Sequence, residues 1–500
     1  MNHIDLGTPM GIAVALLPEI LLSAWSLVVL LVVSWRHETA EDSRLAGWLA
    51  LAGLLLSGAG LAVLWAGRAT PDGLAQMIAL DPFRYGASAV ALLSAAGTVL
   101  ISLGYMEREG LLAPEYYPLI LLATAGMMFL AGAEDLIVLF LGLEVMSVAV
   151  YVLAGYSRAD PFSSEAALKY FLIGAFASGF LLYGIALVYG TTGTTNLALI
   201  GAQLAGRPMP LMAALGLGLI LIGMGFKISA VPFHMWAPDV YDGSPTPVSG
   251  LMATGVKAAA FAALVRVLLE AFPSVIDIWQ PIVAGLAVAS MVAGNLTALA
   301  QQSLKRMLAY SSIAHAGYML VAVWAGTPAG AGSVLFYLLA YSVTTLASFG
   351  FLTALGRGGE RDVTYDDIAG LAAERPAIAF GLSVCMLSLV GFPGTVGFIG
   401  KWYILTAVVA EGQLILPVIL VLTSALSAGY YLPVIMAMYM RPSPSTRRHA
   451  DVGLSRTAAG AIAFSVAAVL LLGFWPGDLL EMAGESARTL TQTALPLAGQ

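Results

Sequence analysis

The chain has 500 residues, 59% of them hydrophobic and 10% charged, with a formal net charge of −7 and a mean hydropathy of +0.89. A soluble domain of ordinary composition carries about 25% charged residues, so these values exclude one and describe a polytopic, all-α integral membrane protein. Cys385 is the only cysteine, which rules out an iron–sulfur cluster or an internal disulfide built by this chain, and the net charge, spread over short loops, says little about partners.

The first stretch, MNHIDLGTPMGIAVALLPEILLSAW, lacks a basic leader and a small-residue cleavage site, so it reads as an uncleaved span. Apolar runs follow at roughly 12–35, 45–66, 82–105, 115–132, 135–156, 166–190, 210–240, 247–270, 278–300, 307–325, 331–355, 376–409, 414–440 and 457–475, about fourteen helices in a single membrane domain. Nothing after Trp475 reads as another span or an extended lateral helix, and the hydrophilic stretch 356–376 is too short for a soluble domain. Of the 22 lysines and arginines, Lys227, Lys257 and Lys401 lie inside spans, and Arg68, Arg84, Arg207, Arg266 and Arg488 fall on one side. All the others fall on the opposite side, so the positive-inside rule places that side in the cytoplasm and both termini outside.

Spans four to eight (115–270) and nine to thirteen (278–440) form two sets of five, preceded by 12–105 and followed by 457–475. An odd number of spans per set inverts the second copy relative to the first. The third span of each set is interrupted. In the first set, Pro232 removes a backbone N–H and clashes with the preceding turn; in the second, SLVGFPGTVGFIGKWY at 388–403 places Gly391, Pro393, Gly394 and Gly397 where regular helix is disfavoured. Freed backbone groups at membrane depth are tolerated only inside protein or beside water.

Ionisable residues within spans mark proton or ion routes by default. Lys227 falls near the middle of 210–240, Lys257 near the centre of 247–270, and Lys401 just after the second break. Glu144 is central in EDLIVLFLGLEVMSVAVYVLAGY, and a Glu144–Lys227 ion pair would satisfy both groups. Moving the carboxylate away would leave Lys227 desolvated and unpaired, which drives a buried lysine to give up its proton. A static pair holding two helices together is the alternative. His315, in MLAYSSIAHAGYMLVAV, suits proton shuttling but equally suits a packed, hydrogen-bonded core position. His234 either relays protons or caps carbonyls freed by the break. GLGLILIG at 216–223 reads as close helix packing, Glu165 and Lys169 as an interfacial pair, and Lys305 and Arg306 as topology anchors. Metal-ligand clusters, nucleophile–base arrangements and nucleic-acid patches are absent from the sequence pattern.

At LGLEVMSVAVYVLAGY, EAALKYFLIGAFASGFLLYGIALVYGTTGTT, FKISAVPFHMWAPDVYDGSPTPVSGLM, QQSLKRMLAYSSIAHAGYML and GFPGTVGFIGKWY the chain resembles the antiporter-like proton-translocating subunits of respiratory complex I. FHMWAPDVYDGSPTPV is similar to the subunit-N branch of bacterial NADH-quinone oxidoreductases, more than to the M and L subunits or to the related chains of multisubunit sodium/proton antiporters. The resemblance implies about fourteen helices with two inverted five-helix repeats and one proton channel powered by quinone reduction elsewhere. It implies Glu144 and Lys227 as the coupling pair, Lys257 and His315 on a hydrated axis, and Lys401 as the relay of the second half. It also implies no redox centre here, with FMN, iron–sulfur clusters and quinone in partner subunits. The partners it implies are subunit M, small membrane subunits and lipid, in a bacterial inner membrane with periplasmic termini. A cation/proton antiporter subunit without redox coupling is the rival reading.

Overall fold

The structure, a computed structural model, describes residues 3–5, 8–36, 39–67, 70–72, 77–356, 363–443 and 453–492. Arg68 and the basic residues within 357–362 and 444–452, which entered the charge asymmetry, lie outside the described residues. The chain opens with α1 (Pro9–Ala15), α2 (Leu17–Ser34), α3 (Ala40–Gly67) and α4 (Pro82–Arg108). A parallel pairing of β1 (His3–Asp5) with β2 (Thr70–Asp72) supplies the only named strands among the described residues of an otherwise helical fold.

The first five-crossing set comprises α5 (Tyr116–Ala131), α6 (Leu136–Ala154), α7 (Pro161–Thr192) with the short α8 (Leu197–Leu204), the interrupted α9 (Leu211–Ile228) and α10 (Ala237–Gly243), and α11 (Thr246–Leu251) continuing into α12 (Lys257–Arg266). The second comprises α13 (Ile276–Ala298), α14 (Leu304–Trp324), α15 (Pro328–Leu355), the short α16 (Leu371–Glu374), the interrupted α17 (Pro376–Val390) and α18 (Val396–Ala410), and α19 (Ile415–Met440). Two more helices, α20 (Arg456–Phe474) and α21 (Gly477–Gln492), follow. Among the described residues, 12 helical stretches are long and apolar enough to cross a membrane, and α5, α17 and α18 are shorter apolar helices. Because α17 and α18 are the halves of one interrupted crossing, the fourteen expected crossings are present.

The two sets repeat a packing device. In the first, Gly126 and Gly142 bring the backbones of α5 and α6 together: a Cβ on either would lie 2.4 Å from Met146 N or 2.6 Å from Leu130 N. In the second, Gly294 and Gly317 do the same for α13 and α14, each added Cβ lying 2.7 Å from a backbone nitrogen of the other helix. Glu144 lies two residues after Gly142 and His315 two before Gly317, so each backbone contact fixes the height of a polar residue.

After Trp475 the structure adds a helix that is not among the apolar spans and that the reading of the sequence did not name. The 16-residue α21 packs on α15 and α4, burying Ala483, Ser486, Ala487 and Leu490 while Asp478, Glu481, Glu485 and Arg488 face outward. Its helical-period stripe is narrow and its composition polar, so a search for spanning hydropathy passes over it. Lys227, the penultimate residue of α9, lies midway along the interrupted crossing formed by α9 and α10. The break starts at Ser229, left-handed with φ 61°, ahead of Pro232.

Candidate functional site

The stretch Thr246–Ala271 is buried along its whole length and forms the axis of the bundle, packed by α4, α5 and α15. Lys257 lies on it between two π turns, Met252–Val256 and Val267–Ala271. Wide turns of this kind rotate the residues beyond them relative to a regular helix and recur at functional sites. Its Nζ donates to the Ser312 carbonyl at 2.7 Å and to the Ser312 hydroxyl at 2.8 Å. The hydroxyl of the adjacent Ser311 is hydrogen-bonded to that of Tyr431, which lies 3.3 Å from Nε2 of His315. Nδ1 of His315 lies 2.8 Å from the Tyr337 hydroxyl. The His315 ring packs edge-on against Tyr318 with centroids 5.2 Å apart, and Lys401 Nζ stands over the Tyr318 ring at 4.7 Å. Lys257, His315 and Lys401, which are 1%, 2% and 5% exposed, therefore lie along one buried series of hydrogen bonds, neighbouring serines and ring contacts.

The second break holds Lys401. Where α17 ends, its last carbonyls have no intrahelical partner. Lys401 Nζ donates to those of Leu389 and Val390, both at 2.9 Å, and to Ser424 Oγ at 2.7 Å. Three acceptors satisfy its three N–H groups at the negative end of a helix. Gly391, at φ 91°, turns the chain there, and a Cβ on it would lie 3.0 Å from Lys401 Cδ.

The first break is arranged differently. Lys227 is 2% exposed, and its Nζ meets the Tyr170 hydroxyl at 3.4 Å and the ring faces of Tyr151, Tyr170 and Phe226 at 5.5, 5.2 and 5.9 Å. The expected Glu144–Lys227 ion pair is not formed. Glu144, half-buried, accepts a hydrogen bond from Ser178 of α7 instead. The reason lies in helix order: α7 packs on both α6 and α9 and so stands between the two residues.

His234 lies in the first break, half-buried, with Nδ1 lacking a hydrogen-bond partner, outside the connected set. Pro232 is exposed at the same break, and Pro393 lies within the second, between α17 and α18. Lys305 is more than a topology anchor: it is 5% exposed and donates to the Ser244 carbonyl at 2.5 Å. Lys169 bonds Asp239 at 2.8 Å besides Glu165 at 2.7 Å, and Arg306 joins the same Asp239 at 2.9 Å. Sequence reasoning missed Tyr170, Ser178, Ser312, Tyr318, Tyr337, Ser424 and Tyr431. The available signal was helical spacing, since Ser311, Ser312 and Tyr318 lie three or four residues from His315.

Residues 133–427 match the family described as NADH:quinone oxidoreductase/Mrp antiporter, transmembrane. NADH-quinone oxidoreductase subunit N of Trichlorobacter lovleyi is 43% identical over 477 residues, 95% of this chain and 97% of its own length. Subunit N 1 of Sorangium cellulosum is 44% identical, covering 95% of this chain and 98% of its own. The chain belongs to the NADH-quinone oxidoreductase subunit N family. As a member of this family it is a proton-translocating, multi-pass membrane subunit of that enzyme complex, assembled with other membrane-arm subunits. A chain of respiratory complex I from Thermus thermophilus superposes with a TM-score of 0.79 at 37% identity, covering 93% of this chain and 99% of that one. The Mrp complex from Dietzia sp. contains a chain with a TM-score of 0.82 at 23% identity, a likeness of fold alone. Among the described residues, no group of three or more His, Cys, Asp or Glu is placed to hold a metal ion.

Proposed function

We propose that protons cross this subunit N through Lys227, Lys257, His315 and Lys401, with water carrying them between Lys227 and Lys257 and with Glu144 as the switch. The observation that carries this reading is the buried set from Lys257 through Ser312, Ser311, Tyr431 and His315 to Lys401. Separation of Glu144 from Lys227 is the donor arrangement of the switch, and movement of α6 past α7 restores the pair. The two halves, 115–270 and 278–440, act as inverted units joined by Lys257 and His315. Moving one charge against 100 mV requires about 2.3 kcal/mol, so the drive is conformational or electrostatic coupling to quinone reduction in partner subunits. FMN, the iron–sulfur clusters and quinone belong to those partners, and a neighbouring subunit M with small membrane subunits flanks this chain in a bacterial inner membrane, its termini periplasmic.

The test is proton pumping and NADH oxidation by the reconstituted complex carrying Glu144→Gln or Lys227→Ala. Both variants assemble, and pumping falls by about tenfold or more. Unchanged pumping in assembled variants removes these residues from the route.

A further inference from the structure

Between His315 and Lys401 the contact runs through the ring of Tyr318, near-perpendicular to the imidazole with centroids 5.2 Å apart and with its centroid 4.7 Å from Lys401 Nζ. The helices packed on α18, which are α14, α15, α17, α19 and α20, carry no carboxylate, so the ammonium has no counter-ion on them. The titratable side chains of this part of the core are His315 and Tyr318 on α14, Tyr337 and Tyr341 on α15, and Tyr430 and Tyr431 on α19. To these α17 adds only Cys385, and α20 only Arg456 at its exposed start. A ring face attracts a desolvated cation, so the placing of Tyr318 bears on how firmly Lys401 keeps its charge.

The group that places Tyr318 comes from the neighbouring helix. Asn295 of α13 is fully buried. Its Nδ2 donates to the Met291 carbonyl at 2.7 Å and to the Tyr318 hydroxyl at 3.1 Å, and its Oδ1 accepts from the Tyr430 hydroxyl at 2.8 Å. The Met291 carbonyl can only accept, which fixes the orientation of the amide and turns an N–H toward Tyr318. Tyr430 in turn packs on Tyr431, with centroids 4.4 Å apart, and Tyr431 meets Nε2 of His315. Asn295 follows Gly294 and Tyr318 follows Gly317, the two glycines at which the backbones of α13 and α14 approach, so the register of that approach sets amide against hydroxyl. The glycines already join the two helices. An asparagine disfavours helix and has to be desolvated, so its place at the contact is explained by the side chains it bonds.

We propose that Asn295 is a positioning residue for proton transfer in the second half: it holds the Tyr318 hydroxyl and so keeps the ring face against the Lys401 ammonium. A ring released from the amide leaves that ammonium to two carbonyls and Ser424 alone, and Lys401 is held less firmly in its charged form. The inference rests on the route through His315 and Lys401 proposed above.

Proton pumping and NADH oxidation by the reconstituted complex, followed from about pH 5 to about pH 9, test it. Asn295→Leu removes the amide at similar volume, and Tyr318→Phe removes the hydroxyl while keeping the ring. Each moves the alkaline limb of the pumping profile to lower pH by about 0.3–1 unit, and Tyr318→Leu, which removes the ring, by about 1 unit or more. Because both act through one hydrogen bond, the double variant Asn295→Leu/Tyr318→Phe shifts the profile no further than either change alone. A residue that only braces two helices lowers the melting temperature of the complex when replaced and leaves the profile in place; that result overturns the proposal, as do additive shifts. Lys401→Ala separates the levels. Pumping retained there overturns the route beneath, whereas pumping lost there with a wild-type profile in Tyr318→Phe overturns this inference alone. If Asn295→Leu does not assemble, Tyr318→Phe decides by the same profile.

Discussion

The two interrupted crossings place a lysine beside a helix end and then treat it in opposite ways. At the second, Lys401 is saturated by two backbone carbonyls and a serine hydroxyl. At the first, Lys227 has one long contact with a tyrosine hydroxyl and three ring faces, and its natural counter-ion is held by a serine on the intervening helix. An ammonium with every N–H satisfied is fixed in place; one whose anion is parked on a neighbouring helix responds to any movement of that anion. On the proposed route, this difference gives holding to the second break and switching to the first.

This contrast is tested most severely at glycines of the two breaks. A Cβ at Gly397 would lie 1.9 Å from the Ser388 carbonyl oxygen, a backbone clash, whereas at Gly225 it would lie 2.9 Å from the Phe233 ring, which can turn aside. Gly397→Ala is expected to abolish assembly or destabilise by about 3 kcal/mol or more, and Gly225→Ala by about 1 kcal/mol, read as subunit content and melting temperature of the purified complex. Equal losses at both sites remove the claim that the second break is the rigid one.

Next in size is the pair Lys401→Ala and Lys227→Ala. The first leaves the buried Leu389 carbonyl without its donor, while that of Val390 keeps the Ser424 hydroxyl, and destabilises by about 1–3 kcal/mol; the second removes one long hydrogen bond and three ring contacts together with the cost of a desolvated ammonium, and changes stability by less than about 1 kcal/mol. Both stop pumping in reconstituted vesicles. Gly391→Ala follows, placing a side chain at φ 91° against Lys401, with about 1–2 kcal/mol lost in thermal unfolding and pumping reduced several-fold. Smallest is Ser178→Ala, which releases Glu144 toward Lys227: stability changes by about 1 kcal/mol or less, while the pH profile of pumping shifts with NADH oxidation retained. An unshifted profile means Ser178 has no hold on the switch.

Much of this was readable beforehand because spans, helix interruptions and intramembrane charges are local properties. Hydropathy over about 20 residues locates a crossing, and proline or glycine interrupts it whatever surrounds it. The fourteen crossings, both breaks and the buried positions of Lys227, Lys257, His315 and Lys401 followed from that alone. The start of the first break was misplaced by a few residues because Ser229, left-handed without being glycine, gives no compositional sign. The polar face of α21 hid it from a search for spanning hydropathy, although Leu480, Ala483, Ala487 and Leu490 recur at helical spacing in the sequence.

Partners were another matter. Whether Glu144 meets Lys227 or Ser178 depends on α7 standing between α6 and α9, and the Arg266–Asp81 pair joins residues 185 positions apart. That Lys227, Lys257, His315 and Lys401 are buried in this membrane protein is written in the order of its residues, because the bilayer imposes its rules on every span separately, whereas the burial of Arg84, Arg266 and Lys305 near span ends was not. Which groups touch was settled by packing, because contact depends on the rotation and spacing of helices lying side by side, and side-chain hydrogen bonds reach only about 3 Å.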